Sequence, residues 1–111
     1  MLARLSDADI DAELKHLANW RLDANKTSIL NEWEFDSFKT AMHFFVQVGE
    51  LAQAHDHHPE FIYNYTQVKI RLSTHDAGGL TAKDFALAQQ IDLLGQDIGK
   101  EPNLNLEQRL S

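Results

Sequence analysis

The segment Gln67–Thr74 alternates apolar and polar side chains along nearly its whole length. In an extended chain, Val68, Ile70 and Leu72 point to one side of the strand and the polar residues between them point to the other. The segment Ser28–Phe35 shows a similar alternation. Strands with one apolar and one wet face are typical of an antiparallel sheet that is covered on one side only.

Three other stretches repeat apolar residues every three or four positions, the spacing of a helix with one buried face. Two of them follow capping boxes, Ser6–Asp9 and Thr81–Asp84. Hairpin strands with helices on one side predict an α+β two-layer sandwich, with an antiparallel four-stranded sheet and three helices on one face. The predicted order α-β-β-α-β-β-α comprises a helix from about Asp7 to about Asn19, strands Trp20–Leu22 and Ser28–Phe35, a helix from a cap at Asp36 or Ser37 to near His55, strands Phe61–Tyr65 and Gln67–Thr74, and a helix that opens at Thr81.

The length of 111 residues predicts a single domain over residues 1–111. From about residue 99, a Pro and several polar residues predict an extended tail. No apolar run approaches the roughly 18 residues that a membrane helix needs, and the first ten residues turn acidic too early for a secretory signal. Because the chain also has no Cys for a disulfide framework, we expect a cytoplasmic protein that binds no membrane.

Ten Lys and Arg residues stand against seventeen Asp and Glu residues, a formal charge of −7. Lys and Arg side chains supply most of the affinity for a phosphate backbone, so direct nucleic-acid binding is not expected from this acidic chain. The charge leaves open a protein partner that itself binds DNA. A two-layer sandwich also exposes two sheet edges, which invite strand pairing with another copy. We therefore expect a homodimer or homotetramer, although the sequence does not say which edge is used.

Four of the six histidines, His55, His57, His58 and His75, fall within a short span. Imidazole both gives and takes protons near neutrality. The first three precede one predicted strand and His75 follows the next, so a hairpin of these strands brings both groups to its base. Asp84, in the first turn of the last helix, is within reach of the same place. Chain topology, rather than adjacency in sequence, thus predicts a proton-transfer site.

Several of these residues also fit a purely structural role. Asp84 is accounted for by the capping box, and His55 by the C-terminus of a helix. Phe61 fits sheet packing as well as a ligand platform. The spacing of His55–His57 is suited to chelation, with His75 as a third ligand, but no helical His pair or Glu-rich partner supports a metal site. Gly-rich phosphate loops and nucleophile elbows are absent from the sequence.

A longer pattern of fixed spacings surrounds the histidines. It comprises His57-His58-Pro59-Glu60, Tyr65, Val68, Leu72-Ser73-Thr74-His75-Asp76, Gly79-Leu80-Thr81 and Asp84. This pattern resembles the pterin-4a-carbinolamine dehydratase family, and the resemblance extends over about Leu17 to Ile91. Upstream, Trp20 and Phe35-x-x-Phe38 also look like the family.

The resemblance implies loss of water from a 4a-hydroxytetrahydropterin, giving a quinonoid dihydropterin in tetrahydrobiopterin recycling. It implies no metal, nucleotide or redox cofactor, and an aromatic amino acid hydroxylase is a candidate pathway partner. The carbinolamine hydroxyl leaves readily only when it is protonated, and a ring nitrogen loses a proton as the C=N bond forms. Two imidazoles in opposite protonation states suit both requirements.

The family pattern also implies a role for each site residue. His57 and His75 are expected to form the acid/base pair, and His58 to bind and orient the pterin. Asp84 is expected to hold a histidine in one tautomer. The residues expected to line the pterin pocket are Pro59, Phe61, Ser73, Thr74 and Asp76.

Two positions depart from the family pattern. Gln53 stands where members commonly carry Glu, and Phe61 stands where they commonly carry Trp. A missing carboxylate removes one stabiliser of protonated imidazole, so we expect a weaker catalyst with an altered pH dependence. Two alternative functions are a dimerisation or transcriptional-cofactor type of interaction protein with the same fold, and a His-rich metal carrier. The retention of all three site histidines together with Asp84 favours the enzyme.

Overall fold

The computed structural model describes residues 3–100, in which the helices and strands follow the expected order. The elements are α1 (Asp7–Leu14), β1 (Arg21–Leu22), β2 (Ile29–Glu34), α2 (Phe38–Ala54), β3 (Glu60–Asn64), β4 (Gln67–Leu72), a short 3₁₀ helix (His75–Ala77) and α3 (Ala82–Lys100). In this part of the chain, no helix combines the length and apolar character needed to cross a membrane. The tail expected from about residue 99 falls almost wholly outside the described residues.

The four strands form one antiparallel sheet in the order β1-β2-β4-β3. This arrangement confirms the predicted α+β class. The expected hairpin of β3 and β4 forms, and it aligns Glu60 with Arg71 at its open end. The segment that carries His57 and His58 therefore enters the sheet beside the point where β4 leads on to His75.

The core lies between the sheet and the helices. Val68, Ile70 and Leu72 of β4 are at most 1% exposed, as their alternation predicts. The opposite sheet face is solvated, and there Lys69 of β4 pairs with Glu32 of β2 at 3.7 Å. The helices contribute the buried side chains Ile10, Ala41, Phe44, Val48, Ala52, Phe85, Leu87, Ala88, Ile91 and Ile98 to the core.

The first helix is shorter than its sequence predicts, since α1 stops at Leu14 instead of about Asn19. The cause is a contact with α3 that is distant in sequence. Asp92 accepts hydrogen bonds from the backbone N–H of Ala18 at 3.2 Å and from the indole Nε1 of Trp20 at 2.7 Å. Asn19, between them, takes a left-handed backbone with φ of 67°. These bonds hold the chain in a turn where the apolar spacing alone favours a longer helix.

The end of β4 also differs from the prediction. The strand stops at Leu72, before the predicted end at Thr74, because Thr74 forms an isolated bridge with Gly79. The intervening loop holds the 3₁₀ helix and closes through Gly78, whose φ of 73° is readily adopted by glycine. The other predicted boundaries within the described residues agree with the structure to within one residue, except that α3 continues to Lys100 where the tail is predicted to begin at about residue 99.

Candidate active site

The turn that ends α2 determines where His57 lies. His55 is the C-cap of α2, and Asp56 after it has a left-handed backbone with φ of 51°. The backbone N–H of Asp56 donates to the carbonyl of Gln53 at 3.1 Å, and that of His57 donates to the carbonyl of Ala52 at 3.0 Å. These are the two bonds of a Schellman motif. As a result His57 is only 8% exposed, and its side chain is directed into the fold.

The imidazole of His57 meets a buried carboxylate. Its Nε2 lies 2.5 Å from Oδ1 of Asp84, a residue with no exposed surface. An ionised carboxylate only accepts hydrogen bonds, so Nε2 carries the hydrogen and donates it. In the neutral ring the lone pair is then on Nδ1, which no residue in the range 3–100 engages in a hydrogen bond. Nδ1 is therefore the nitrogen that is left to give or take a proton.

Two threonines surround the other oxygen of Asp84. Oδ2 accepts from the hydroxyl of Thr74 at 2.8 Å and from the backbone N–H of Thr81 at 2.9 Å. The bond from Thr81 is the one that a capping box requires of its acidic member. The capping role of Asp84 and its contact with His57 thus coexist, one on each oxygen.

His58 points away from this network. The side chain is exposed, and its Nε2 lies 3.3 Å from Oε1 of Gln53 in the last turn of α2. The first turn of α3 reaches the same end of α2, where Nζ of Lys83 donates to the carbonyl of Asp56 at 3.2 Å. Gln53 therefore acts on His58 and not on His57.

His75 begins the 3₁₀ helix and is exposed, as is Asp76 after it. It directly follows Thr74, whose hydroxyl reaches Asp84, so it lies one residue from the buried network. Among the described residues, no hydrogen bond joins the imidazole of His75 to that of His57. The structure thus brings His57 into direct contact with Asp84, and His75 follows in the chain directly after Thr74, which bonds to the same carboxylate.

Three of the residues expected to line the pocket have different surroundings. Phe61 is half-buried and packs edge-on against Phe45, with ring centroids 4.8 Å apart. The hydroxyl of Ser73 donates to the carbonyl of Thr27 at 2.8 Å. Pro59 is half-buried in the link between α2 and β3. Phe61 therefore contributes to packing, and the side-chain donor of Ser73 is already in use.

A second network of hydrogen bonds supports the strand that leads to the site. Asp23, in the turn after β1, accepts bonds from the backbone and hydroxyl groups of Thr27 and Ser28. Nη1 of Arg71 in β4 donates to the hydroxyl of Ser28 at 2.7 Å and lies 3.4 Å from Asp23. Burial raises the pKa of Asp23, but the hydrogen bonds from Ser28 and Thr27 outweigh burial and bring the pKa below its usual 3.8.

The chelating set suggested by spacing is not assembled. Over residues 3–100, no three His, Asp or Glu side chains are arranged to hold a metal ion. His55 is the half-buried C-cap of α2, while His57 is directed to Asp84. His16 and His43 are exposed at other places on the surface.

The sequence of residues 3–94 matches the profile of a family described as pterin 4 alpha carbinolamine dehydratase. The chain belongs to this family. A Rhodospirillum rubrum protein, provisionally named pterin-4-alpha-carbinolamine dehydratase, is 44% identical over 92 residues, which cover 83% of this chain and 96% of that protein. A Roseiflexus protein (strain RS-1) with the same provisional name is 46% identical over 92 residues, which cover 83% of this chain and 97% of that protein. The family expected from the residue pattern is confirmed.

Solved structures of pterin dehydratase relatives share the fold. The crystal structure of a transcriptional coactivator/pterin dehydratase from Brucella melitensis has a TM-score of 0.79 and 30% identity, and the match covers 82% of this chain and 97% of that one. A pterin dehydratase-like protein identified as a RuBisCO assembly factor in the alpha-carboxysome has a TM-score of 0.61 over 71% of this chain and 92% of its own. Its identity is 22%, so it supports the fold alone.

Sequence reasoning did not place the side chain of Thr81 in the hydrogen-bond network of the site. The capping box predicts that Thr81 caps α3, whereas in the structure its hydroxyl is 2.8 Å from that of Thr74. The capping-box spacing predicts only that the backbone N–H of Thr81 bonds to the carboxylate of Asp84, and it gives no signal for the hydroxyl. Any residue bonded to that carboxylate then shares its network.

Proposed function

We propose that this chain is a 4a-hydroxytetrahydropterin dehydratase, releasing water and a quinonoid dihydropterin in tetrahydrobiopterin recycling. The pterin substrate is supported by the family to which the chain belongs. The observation that carries the proposal is the buried pair of His57 and Asp84 at 2.5 Å. This pairing gives one imidazole a defined orientation and leaves Nδ1 for proton transfer.

The proposed reaction uses two imidazoles in opposite protonation states. One imidazolium of the pair His57 and His75 protonates the 4a-hydroxyl, which leaves as water when the C4a–O bond breaks. The other imidazole takes the proton from the ring nitrogen as the C=N bond forms. The acid has then lost one proton to the departing water, and the base has gained one from the ring nitrogen. Proton exchange with solvent restores the starting protonation states of the two histidines. Each such proton transfer contributes a factor of about 10²–10⁴ to the rate.

The proposed roles of the other residues are those that the family pattern implies, and their positions are compatible with them. His58 is exposed beside Pro59 and binds the pterin, and the backbone around Thr74 and Asp76 meets the amide edge of the ring. Asp84 orients His57 and does not itself touch the substrate, since it is completely buried. The assignment requires no resident metal, nucleotide or redox cofactor. A cytoplasmic location and an aromatic amino acid hydroxylase as pathway partner complete the proposal.

Stopped-flow measurement of the loss of a synthetic 4a-hydroxypterin tests the proposal. The wild-type chain is expected to accelerate dehydration equally with and without EDTA. His75→Ala, at an exposed position, is expected to lower the rate by about 10²–10⁴ with little change in Tm. His57→Ala is expected to lower the rate as much and also to lower Tm, because it leaves Oδ1 of the buried Asp84 without its partner. His43→Ala, which removes an exposed histidine from α2, is the matched control. Dehydration at the uncatalysed rate by the folded wild-type chain would reject the proposal.

A second candidate is an interaction role of the same fold. It is favoured by three exposed apolar side chains spaced four residues apart on α2: Phe38 at 44%, Met42 at 40% and Val46 at 49% exposure. Residues at this spacing lie on one side of a helix. The variant Val46→Asp tests whether this apolar side of α2 binds a partner, because a charge there is expected to abolish association through it while leaving the dehydration rate unchanged.

A further inference from the structure

Thr81 is completely buried, so its side chain is not exposed to a substrate. Its hydroxyl nevertheless belongs to a chain of hydrogen bonds that ends at His57. The hydroxyl oxygens of Thr81 and Thr74 are 2.8 Å apart, and the hydroxyl of Thr74 donates to Oδ2 of Asp84 at 2.8 Å. Thr74 has a single O–H, which Asp84 receives, so Thr81 is the donor to Thr74. The bonds therefore run in one direction, from Thr81 through Thr74 to Asp84.

The hydroxyl of Thr81 is only weakly engaged in capping α3. Its oxygen accepts from the backbone N–H of Lys83 at 3.3 Å, a longer contact than its bond to Thr74. The backbone N–H of Asp84 donates instead to the carbonyl of Thr81 at 3.1 Å. The shorter bond thus faces the site, and buried hydrogen bonds in a chain of this kind strengthen one another.

We propose that Thr81 is a positioning residue, which acts through Thr74 and Asp84 to hold His57 as the tautomer with hydrogen on Nε2. The inference rests on the proposed function only for the role of His57 in the reaction. The hydroxyl of Thr74 and the backbone N–H of Thr81 both bond to Oδ2, and the hydroxyl of Thr81 fixes that of Thr74, so rotation of the carboxylate is restricted. With the carboxylate restrained, Oδ1 stays in line with Nε2 of His57.

A purely structural role for Thr81, as the cap of α3, predicts a different outcome. Loss of a cap lowers the stability of the fold but leaves the ring of His57 unchanged. Ser6 provides a matched control, because its hydroxyl caps α1 by accepting from the backbone N–H of Asp9 at 3.1 Å. Within residues 3–100, that hydroxyl makes no hydrogen bond to the site. Ser6→Ala and Thr81→Val each remove a capping hydroxyl, but only Thr81→Val interrupts the chain of bonds to Asp84.

The test combines ¹⁵N NMR of the imidazole rings with steady-state kinetics on the whole chain. Wild type and Ser6→Ala are expected to show His57 as a single Nε2–H tautomer. Thr81→Val is expected to show a mixture of tautomers and about a tenfold lower kcat at an unchanged KM. Thr81→Ser returns the hydroxyl and is expected to recover both. Thr74→Val breaks the same chain without touching the cap, and serves if Thr81→Val fails to fold.

The outcomes separate this inference from the proposed function. A single Nε2–H tautomer and a wild-type kcat in folded Thr81→Val and Thr74→Val would overturn the positioning role. A wild-type chain that does not dehydrate the pterin would reject the proposed function, while the tautomer of His57 in each variant would still decide the inference. Mixed tautomers in the two Val variants, with recovery in Thr81→Ser, would support it in either case.

Discussion

At Asp84 the two oxygens of one carboxylate have different surroundings. Oδ1 accepts a hydrogen bond from the imidazole of His57, and Oδ2 accepts from the hydroxyl of Thr74 and the backbone N–H of Thr81. A buried carboxylate is costly unless hydrogen bonds satisfy it, and its position in the first turn of α3 places it near the positive end of the helix dipole. These contacts allow a fully buried charge to orient the neighbouring ring.

Gln53→Glu tests the contact between Gln53 and His58. The substitution places a carboxylate at the position that lies 3.3 Å from Nε2 of His58, and a carboxylate there stabilises the protonated ring. Because His58 is assigned to pterin binding, we expect the pH dependence of kcat/KM to change as protonated His58 persists to higher pH, while that of kcat stays the same. Gln89→Glu, which adds the same charge on the exposed side of α3, controls for net charge. Superimposable profiles for Gln53→Glu and wild type would show that Gln53 has no influence on the site.

At the scale of elements, two turns bring the site together. The Schellman motif after α2 turns the chain at Asp56 and buries His57, while the loop after β4 places Thr74 over the start of α3. Asp is among the few residues other than Gly that tolerate the left-handed backbone found at position 56. The site thus depends on backbone geometry at a residue whose own side chain is exposed.

The substitution Asp56→Val tests this dependence. A β-branched residue is strained at a φ of 51°, so we expect a loss of about 1–2 kcal/mol in the free energy of unfolding and a lower kcat. Asp56→Gly, which removes the side chain but suits the backbone, is the matched control and is expected to keep wild-type stability and rate. Urea denaturation measures the stability difference. Equal stability of the Val and Gly variants would contradict the role of the left-handed turn.

The hydrogen bonds of Asp23, which connect the β1–β2 turn to Arg71 of β4, predict a pH-dependent contribution to stability. The pKa of Asp23 is below its usual 3.8 in the folded chain, so its hydrogen bonds stabilise the fold above about that pH. That contribution is lost as the pH falls below 3.8 and through the folded pKa. We therefore expect Asp23→Asn to be less stable than wild type near neutral pH and the difference to shrink in acid. Urea denaturation from neutral to strongly acidic pH measures this difference. A constant difference between Asp23→Asn and wild type over that range would contradict the pH-dependent contribution of Asp23.

At the scale of the whole molecule, the sequence predicted most of the fold because the alternating strands and the periodic helices each identify their own buried face. It also predicted that the β3–β4 hairpin would carry His57 toward Asp84. The predicted end of α1 was wrong because the observed end depends on Asp92, which is distant in sequence and accepts hydrogen bonds from Ala18 and Trp20. Bonds of this kind leave no periodic signal.

The site was less predictable than the fold for the same reason. A capping box accounts for Thr81 by itself, so nothing local indicated that its hydroxyl would point to Thr74. Likewise, adjacency in sequence does not show that His57 is buried while His58 is exposed. The burial of His57 follows from the Schellman turn, and that turn depends on the left-handed backbone of Asp56, which the sequence does not specify.

The sheet as a whole bears on association. β1, with two residues, and β3, with five, lie at its two edges. Exposed edge strands favour pairing with another copy, and the longer edge offers more backbone groups. We expect sedimentation to give a mass two or four times that of the 12.7 kDa chain. A mass of 12.7 kDa across a wide range of concentrations would contradict the expected homodimer or homotetramer.

The rate of pterin dehydration by Asp84→Asn tests the central claim most directly. The amide oxygen of Asn can still accept from Thr74 and Thr81, but its NH₂ group donates toward His57 and favours the opposite tautomer, with hydrogen on Nδ1. We predict a folded variant whose kcat is lower by about 10²–10⁴, with circular dichroism confirming the fold. A folded Asp84→Asn chain that dehydrates the pterin at the wild-type rate would contradict the claim that Asp84 orients His57 for proton transfer.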